Sequence, residues 1–359
     1  MRLPTPFRTA FLALLVGLPL AGCTTIGYYS QAVQGHLALM AAARPVSDWV
    51  EDPATPEPLR ERLLQAKDVR RFAADSLGLP DNRSYTAYAD LKRPAAVWNV
   101  FATPELSLEL KTWCYPVVGC AGYRGYFDRA DADALAAQLA AAGYDVNVAP
   151  VPAYSTLGWF NDPLLSTFVN APTAEVARLV FHELAHQVVY ARDDTVFNES
   201  FATAVEREGM RRWLDSRGDE QQRAAWDAYL QRRQDFLGLL LAQRRKLGAV
   251  FASDATVAEK RAAKAAVFDE LQREYRQMRD GRWEGFAGYD RFFDRQLGSA
   301  HLAAVGAYND WVPAFEAMLA ESRGDLPSFY ARVRQLGALD KPTRMAELRR
   351  LTPQFAQAR

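Results

Sequence analysis

The chain has 359 residues, 49% of them hydrophobic, with 43 Lys+Arg balanced by 43 Asp+Glu. An apolar half at this length supplies a sizeable core, and a formal net charge of zero excludes the basic imbalance typical of a nucleic-acid binder. Basic runs such as Gln243-Arg244-Arg245-Lys246 stand within acid-containing helical sequence and read as solvated helix faces.

In chain order, the first segment is a targeting signal. Arg2 and Arg8 form a positive start, and Phe11 to Leu20 is an apolar run shorter than the roughly 20 residues of a spanning helix. It ends in Leu20-Ala21-Gly22-Cys23, which resembles the bacterial lipobox. The resemblance implies removal of residues 1–22 and a lipid on Cys23. With Thr24 rather than Asp next, it implies an outer-membrane anchor facing the periplasm. Cys114 and Cys120 are then the remaining thiols. In an oxidising compartment they predict a disulfide around Pro116 and Gly119, the alternative being two separate buried thiols.

Ile26 to Ala43 reads as a helix with an apolar face, Pro45 to Pro58 as a loop, and Pro58 to Ser76 as a second helix. From Tyr85 to Phe127 the sequence turns aromatic and β-branched. Ala95–Phe101, Leu106–Trp113 and Gly122–Phe127 read as strands, followed by a helix over Asp131–Ala142 and a strand over Tyr144–Val151. Ala153 to Phe160 is expected to be an edge strand able to pair with an extended peptide. Beyond Pro172 the pattern is helical. Val176–Ala191 is apolar nearly all round and therefore central, and Asn198–Leu214 follows with Asn198 as its N-cap. Asp219–Gly248 and Ala255–Arg279 predict an antiparallel pair turning at Ser253-Asp254, and Leu302–Ser322 and Leu326–Gln335 close the chain. The fold class is α+β, a small N-terminal sheet followed by helices. One domain is expected over 23–359, sheet-rich over about 80–160 and helical over about 170–359.

Two of the four histidines lie in His182-Glu183-Leu184-Ala185-His186. A spacing of four residues puts both imidazoles on one helix face, one turn apart, where they can share one zinc ion. Glu183 sits beside them, where a carboxylate can act on water; an uncompensated Glu would be costly to bury on such a helix. A Gly at 189 and a His at 192 would extend the motif to a third histidine, but the chain has Val189 and Arg192. The third ligand is expected to be Glu199, in Phe197-Asn198-Glu199-Ser200-Phe201-Ala202, with Asp193 and Asp194 as competitors. Glu206, two turns further along the same face, is placed to orient a ligand histidine.

His182–His186 followed by Asn198-Glu199 resembles the gluzincin peptidases. The lipobox, Gly27-Tyr28-Tyr29-Ser30-Gln31, the run from Gly119 to Phe127 and Leu157-Gly158-Trp159-Phe160 further resemble bacterial lipoproteins known as predicted aminopeptidases. The resemblance covers essentially the whole mature chain. It implies a zincin-like metallopeptidase domain with a long helical hairpin, one zinc per chain, and a peptide substrate in the cell envelope. Glu183 is then the general base. Tyr308, with His301 as alternative, is the oxyanion donor, and Arg124 and Tyr126 are candidates for holding a substrate terminus. The Gly-x-Met-Glu-Asn motif that binds the free amine in alanyl aminopeptidases is absent. Two other readings use the same residues: an amidase or endopeptidase of peptidoglycan stem peptides, and a non-catalytic metal-binding lipoprotein. No feature of the sequence names a protein partner.

Overall fold

The structure, a computed structural model, describes residues 27–115, 119–306 and 311–352. The leader, Cys23 and Tyr308 lie outside the described residues. Helix α1 (27–41) leads into strand β1 (Ala43–Pro45), the short helix α2 (Val46–Glu51) and α3 (Glu57–Asp75). Strand β2 (Ala87–Ala89) pairs antiparallel with β1 and parallel with the two-residue β8 (Leu164–Leu165).

A second sheet has the order β6-β3-β7, all antiparallel, from β3 (Val97–Pro104), β6 (Arg124–Tyr126) and β7 (Tyr144–Val151). Strand β3 is buried along nearly its whole length, as a central strand should be. Trp98, Val100 and Ala102 pack towards Ala132 and Leu139 of helix α4 (Arg129–Ala141). A third ribbon, β4 (Trp113–Tyr115) with β5 (Gly119–Ala121), sets Cys114 opposite Cys120, and the two are joined as a disulfide.

Two expected strands do not form. The alternating apolar residues of Leu106–Trp113 pack without a ladder, except at Trp113. Both edges of β3 are already taken by β6 and β7, so the segment follows an irregular path on which Leu108 joins the core of the helical hairpin. Ala153–Phe160 is a loop instead of an edge strand. The buried Asp162 carboxylate draws the segment into a bend by accepting from Thr156 N (3.0 Å) and Thr156 Oγ1 (2.7 Å), with Leu157 and Gly158 at φ of 57° and 82°.

The rest is helical. Helix α5 (Thr173–His186) carries the two site histidines and stops at the second of them, five residues earlier than expected. Helix α6 (Thr195–Arg217) starts three residues before Asn198, because Asp194 is the cap and accepts from Phe197 N at 3.2 Å. Asn198 lies inside the helix, and its amide bonds Ala191 N (2.7 Å) and O (2.8 Å). The long helices α7 (Glu220–Ala252) and α8 (Val257–Asp280) pair through a second core that includes Phe236, Leu240, Leu271 and Tyr275.

A short helix α9 (Asp290–Phe293) precedes α10 (Ser299–Gly306). The expected single helix from Leu302 to Ser322 is interrupted. Helix α11 (Val312–Glu321) begins afresh with Trp311 as its N-cap and Pro313 in the first turn, where a missing N–H is tolerated. Helices α12 (Leu326–Gly337) and α13 (Lys341–Leu351) complete the fold.

Helix α6 lies in the largest core, between α5 and α11. Its fully buried Phe201 meets the rings of Phe315 (5.8 Å) and Phe329 (5.9 Å). Phe201→Ala should lower the unfolding free energy by about 3–5 kcal/mol. Urea denaturation would read this as a lower midpoint at unchanged slope.

Candidate metal centre

Helices α5 and α6 pack against each other, and the phases of the two helices turn three donors towards one point. One ligand atom from each of His182, His186 and Glu199 lies within 4.8 Å of the others. His182 Nε2 is 3.3 Å from Glu199 Oε2, and His186 Nε2 is 3.7 Å from Glu199 Oε1. The group could hold a metal ion. The donor chemistry fits, because two imidazole nitrogens and one carboxylate oxygen make a set that binds a borderline dication and leaves a coordination position open.

Behind these donors is a charged scaffold. Glu206 is fully buried, and its Oε2 lies 3.0 Å from His182 Nδ1. That contact holds a hydrogen on Nδ1 and turns Nε2 towards Glu199, so that Nε2 is the nitrogen a metal ion would take once its own proton has left. Arg178, one turn before His182 on α5, donates to Glu206 Oε2 at 3.3 Å, and Arg233 of α7 donates to Oε1 at 2.9 Å. Burial works against a charged Glu206, but His182 and the two arginines overcome it and hold the carboxyl down at about 2.

The two histidines differ. Burial pushes His186 down to about 4 and keeps its imidazole neutral, the ligand form. Burial also opposes charge on His182, but Glu199 and Glu206 raise it to about 10. A proton and a metal ion therefore compete for the same Nε2 lone pair, and metal binding would release that proton. Glu199 is likewise opposed by burial, but His186 and His182 hold it below the usual carboxylate range. Glu183 is raised to about 7, first by burial and further by Glu199 and Asp162, with His182 pulling the other way.

A family model described as "Putative aminopeptidase" matches residues 27–348. The chain belongs to that family. No curated protein and no solved structure shows a match. Membership places peptide hydrolysis as the activity expected of this aminopeptidase-family chain.

The remaining candidates fall elsewhere. Asp194 caps α6 and pairs with Arg344 at 2.5 Å, and Asp193 accepts from Cys120 N at 2.8 Å, so neither joins the ligand group. His301 packs near Phe292, and its Nδ1 accepts from Gly298 N at 3.1 Å; the charges it senses are Arg295 and Asp145, not the metal group. Arg124 lies over the Tyr28 ring at 3.9 Å, and Tyr126 is buried in the core between sheet and α4.

Sequence reasoning missed two tyrosines. Tyr123, at the turn into β6, packs its ring at a tilt against Phe101, 5.6 Å between centroids, and lies within the fields of Glu199 and Glu183. Tyr85 has a positive φ of 62° and a buried hydroxyl with no partner among the described residues; it too senses Glu183. The loop before Tyr85 is held by Arg70, which donates to the carbonyls of Pro80, Asn82 and Ser84. Arg178 was legible as a basic residue four before His182, whereas Arg233 carries no sequence signal because it arrives from a distant helix.

Glu206→Gln should weaken metal affinity by about 10- to 100-fold, measured by competition with a chelating dye. The variant should also change the acid response. In the folded chain Glu206 stays ionised down to about 2, against an ordinary value of 4.5 when unfolded. Its stabilisation is complete above the unfolded value and is lost as pH falls towards the folded one. The stability gap between wild type and variant, from urea unfolding at a series of pH values, should narrow from about pH 5 downwards.

Proposed function

We propose that the chain is a zinc-dependent aminopeptidase acting on short peptides in the bacterial cell envelope, where a lipid on Cys23 holds it to the outer membrane. The observation that carries this reading is the convergence of His182 Nε2, His186 Nε2 and the Glu199 carboxylate beside the half-buried carboxyl of Glu183. The family supports the peptide substrate. The export signal supports the location.

His182, His186 and Glu199 would hold the zinc. When bound, zinc supplies a Lewis acid that acidifies water and polarises the scissile carbonyl. Glu183 takes the proton from the attacking water and returns it to the leaving amine. A carboxyl poised near 7 suits both halves of that task. Glu206 holds His182 in the ligating tautomer and is itself held by Arg178 and Arg233.

The tetrahedral oxyanion needs a donor. Tyr123 is the described hydroxyl under the influence of both Glu199 and Glu183, and we assign it this role; Tyr308, the other candidate, lies outside the described residues. Its backbone is tied in place, because Tyr123 O accepts from Tyr115 OH at 3.3 Å and Tyr115 belongs to the disulfide-closed ribbon.

Zinc content by mass spectrometry and turnover of free-amine dipeptides, N-blocked peptides and peptidoglycan fragments test the reading. Glu183→Gln should keep its zinc and lose about 100- to 10,000-fold in kcat. Cleavage of N-blocked peptides or of peptidoglycan fragments alone would replace the aminopeptidase reading by an endopeptidase or amidase. Wild-type protein that takes up no zinc would overturn the metal reading. Tyr123→Phe should lower kcat by about 100- to 1,000-fold with little change in KM; the same loss in Tyr308→Phe alone would move the role to Tyr308.

A further inference from the structure

Helix α1 carries no charged residue. Its inner side is built into the protein: Leu39 is buried, Gln31 Oε1 accepts from Phe127 N at 3.2 Å, and Gly35 lies so close to the Phe127 ring that a side chain there would collide with it. Its outer side presents Tyr29, Val33 and Leu37, spaced by four residues and 39%, 58% and 60% exposed. A single exposed apolar residue is ordinary; a stripe at helical spacing is not.

The loop at Leu157–Phe160 extends this stripe. The Phe160 ring lies 4.5 Å from the ring of His36, next to Leu37 in sequence. Phe160 is 53% exposed, and Trp159 beside it, at 75%, is more exposed than any other large hydrophobic residue described. Half of the ten exposed large hydrophobics therefore belong to these two segments. The loop is shaped to present them, with Leu157 and Gly158 in left-handed backbone and the Asp162 carboxylate gathering Thr156 behind it.

From the shared face of α1 and this loop we infer a bilayer-docking surface, with Trp159, Phe160, Val33 and Leu37 seated at the lipid interface. The inference rests on the reading of Cys23 as the lipidated residue. Three residues, four Cα-to-Cα steps, separate Cys23 from the start of the described helix at residue 27. Fully extended, those steps span at most about 14 Å, so an acyl chain at Cys23 keeps the start of α1 within that distance of the bilayer surface. Trp is the side chain suited to that depth, with an apolar ring and one N–H for the wet side. No helix among the described residues is long and apolar enough to cross a membrane, so α1 would lie along the surface. The loop also borders the candidate metal centre: Ser155 lies beside Glu183, and Gly158 packs on the side chain of Gln187, the residue after His186. Docking in this orientation sets the rim of the site against the lipid.

The test uses the full chain made with its leader, purified in detergent and reconstituted into phosphatidylethanolamine–phosphatidylglycerol vesicles with brominated acyl chains. Flotation reads attachment, the mass of the N-terminal peptide reads lipid on Cys23, and quenching of tryptophan fluorescence reads depth. The expected result is flotation with quenching that is largely lost in Trp159→Phe, and reduced in the Val33→Ser/Leu37→Ser pair at unchanged thermal unfolding. Flotation with equal quenching in wild type and Trp159→Phe overturns the docking surface and turns the patch over to a second copy or to the leader. No flotation with Cys23 unmodified overturns the anchor and the docking surface together. Peptide turnover by the same preparation, measured in detergent, separates either failure from a failure of the peptidase reading.

Discussion

Glu206 is the residue on which the site depends. A carboxylate with no solvent access is costly to bury unless every lone pair is used, and here an imidazole and two guanidinium groups from three places in the chain use them. The same contacts set the tautomer of His182, the spacing of α5 from α6 and the anchorage of α7 beside them. Removing one partner leaves a buried charge, so the scaffold persists as a unit or fails as a unit. The ligand group in front of it is built differently. It gathers two imidazoles around one carboxylate, with His182 Nε2 hydrogen-bonded to Glu199 at 3.3 Å and His186 Nε2 at 3.7 Å from the same carboxylate.

The parts of this site that were legible in the sequence are those that one helix controls. A spacing of four from His182 to His186, and of seven from Glu199 to Glu206, fixes shared faces whatever the surrounding fold. Tyr144–Val151 was legible for a comparable reason, since its β-branched residues alternate with others between a glycine and a proline. What depended on competition between segments was not. Leu106–Trp113 has the alternation of a strand and no free edge to join, and Ala153–Phe160 is bent by a carboxylate that follows it. Asn198 is a good cap by composition, but Asp194 takes that position because Arg344, far along the chain, holds it there. Tyr85, Tyr123 and Arg233 reach the site only through tertiary packing, which no local pattern encodes.

The small sheets and the helices have separate tasks. The helices supply ligands and charge. The sheet side supplies the rim: β6 begins beside Tyr123, the β4–β5 ribbon braces its backbone, and the bend after β7 carries Trp159 outwards. Both kinds of contact meet at Gln187, whose side chain bonds Asn82 at 2.7 Å and Ser84 at 3.3 Å and so fastens the end of α5 to the loop before Tyr85.

The connection from α5 to α6 is held at several points. Ala191 is gripped through both backbone groups by Asn198, Asp193 is bonded to the backbone of the disulfide ribbon, and Asp194 is locked by Arg344. Gly119 leaves room for the Asp193 carboxylate, where even a methyl group would overlap it. Length is therefore not free to drift here. An extra residue between Gln187 and Ala191 could be absorbed as a wider bend, but one placed between Ala191 and Asn198 would break the pair that sets the start of α6. One placed inside α6 before Glu199 would swing the carboxylate about 100° around the helix axis. The stretch from Ala191 to Glu199, which looks like a spacer, is thus held to a fixed length.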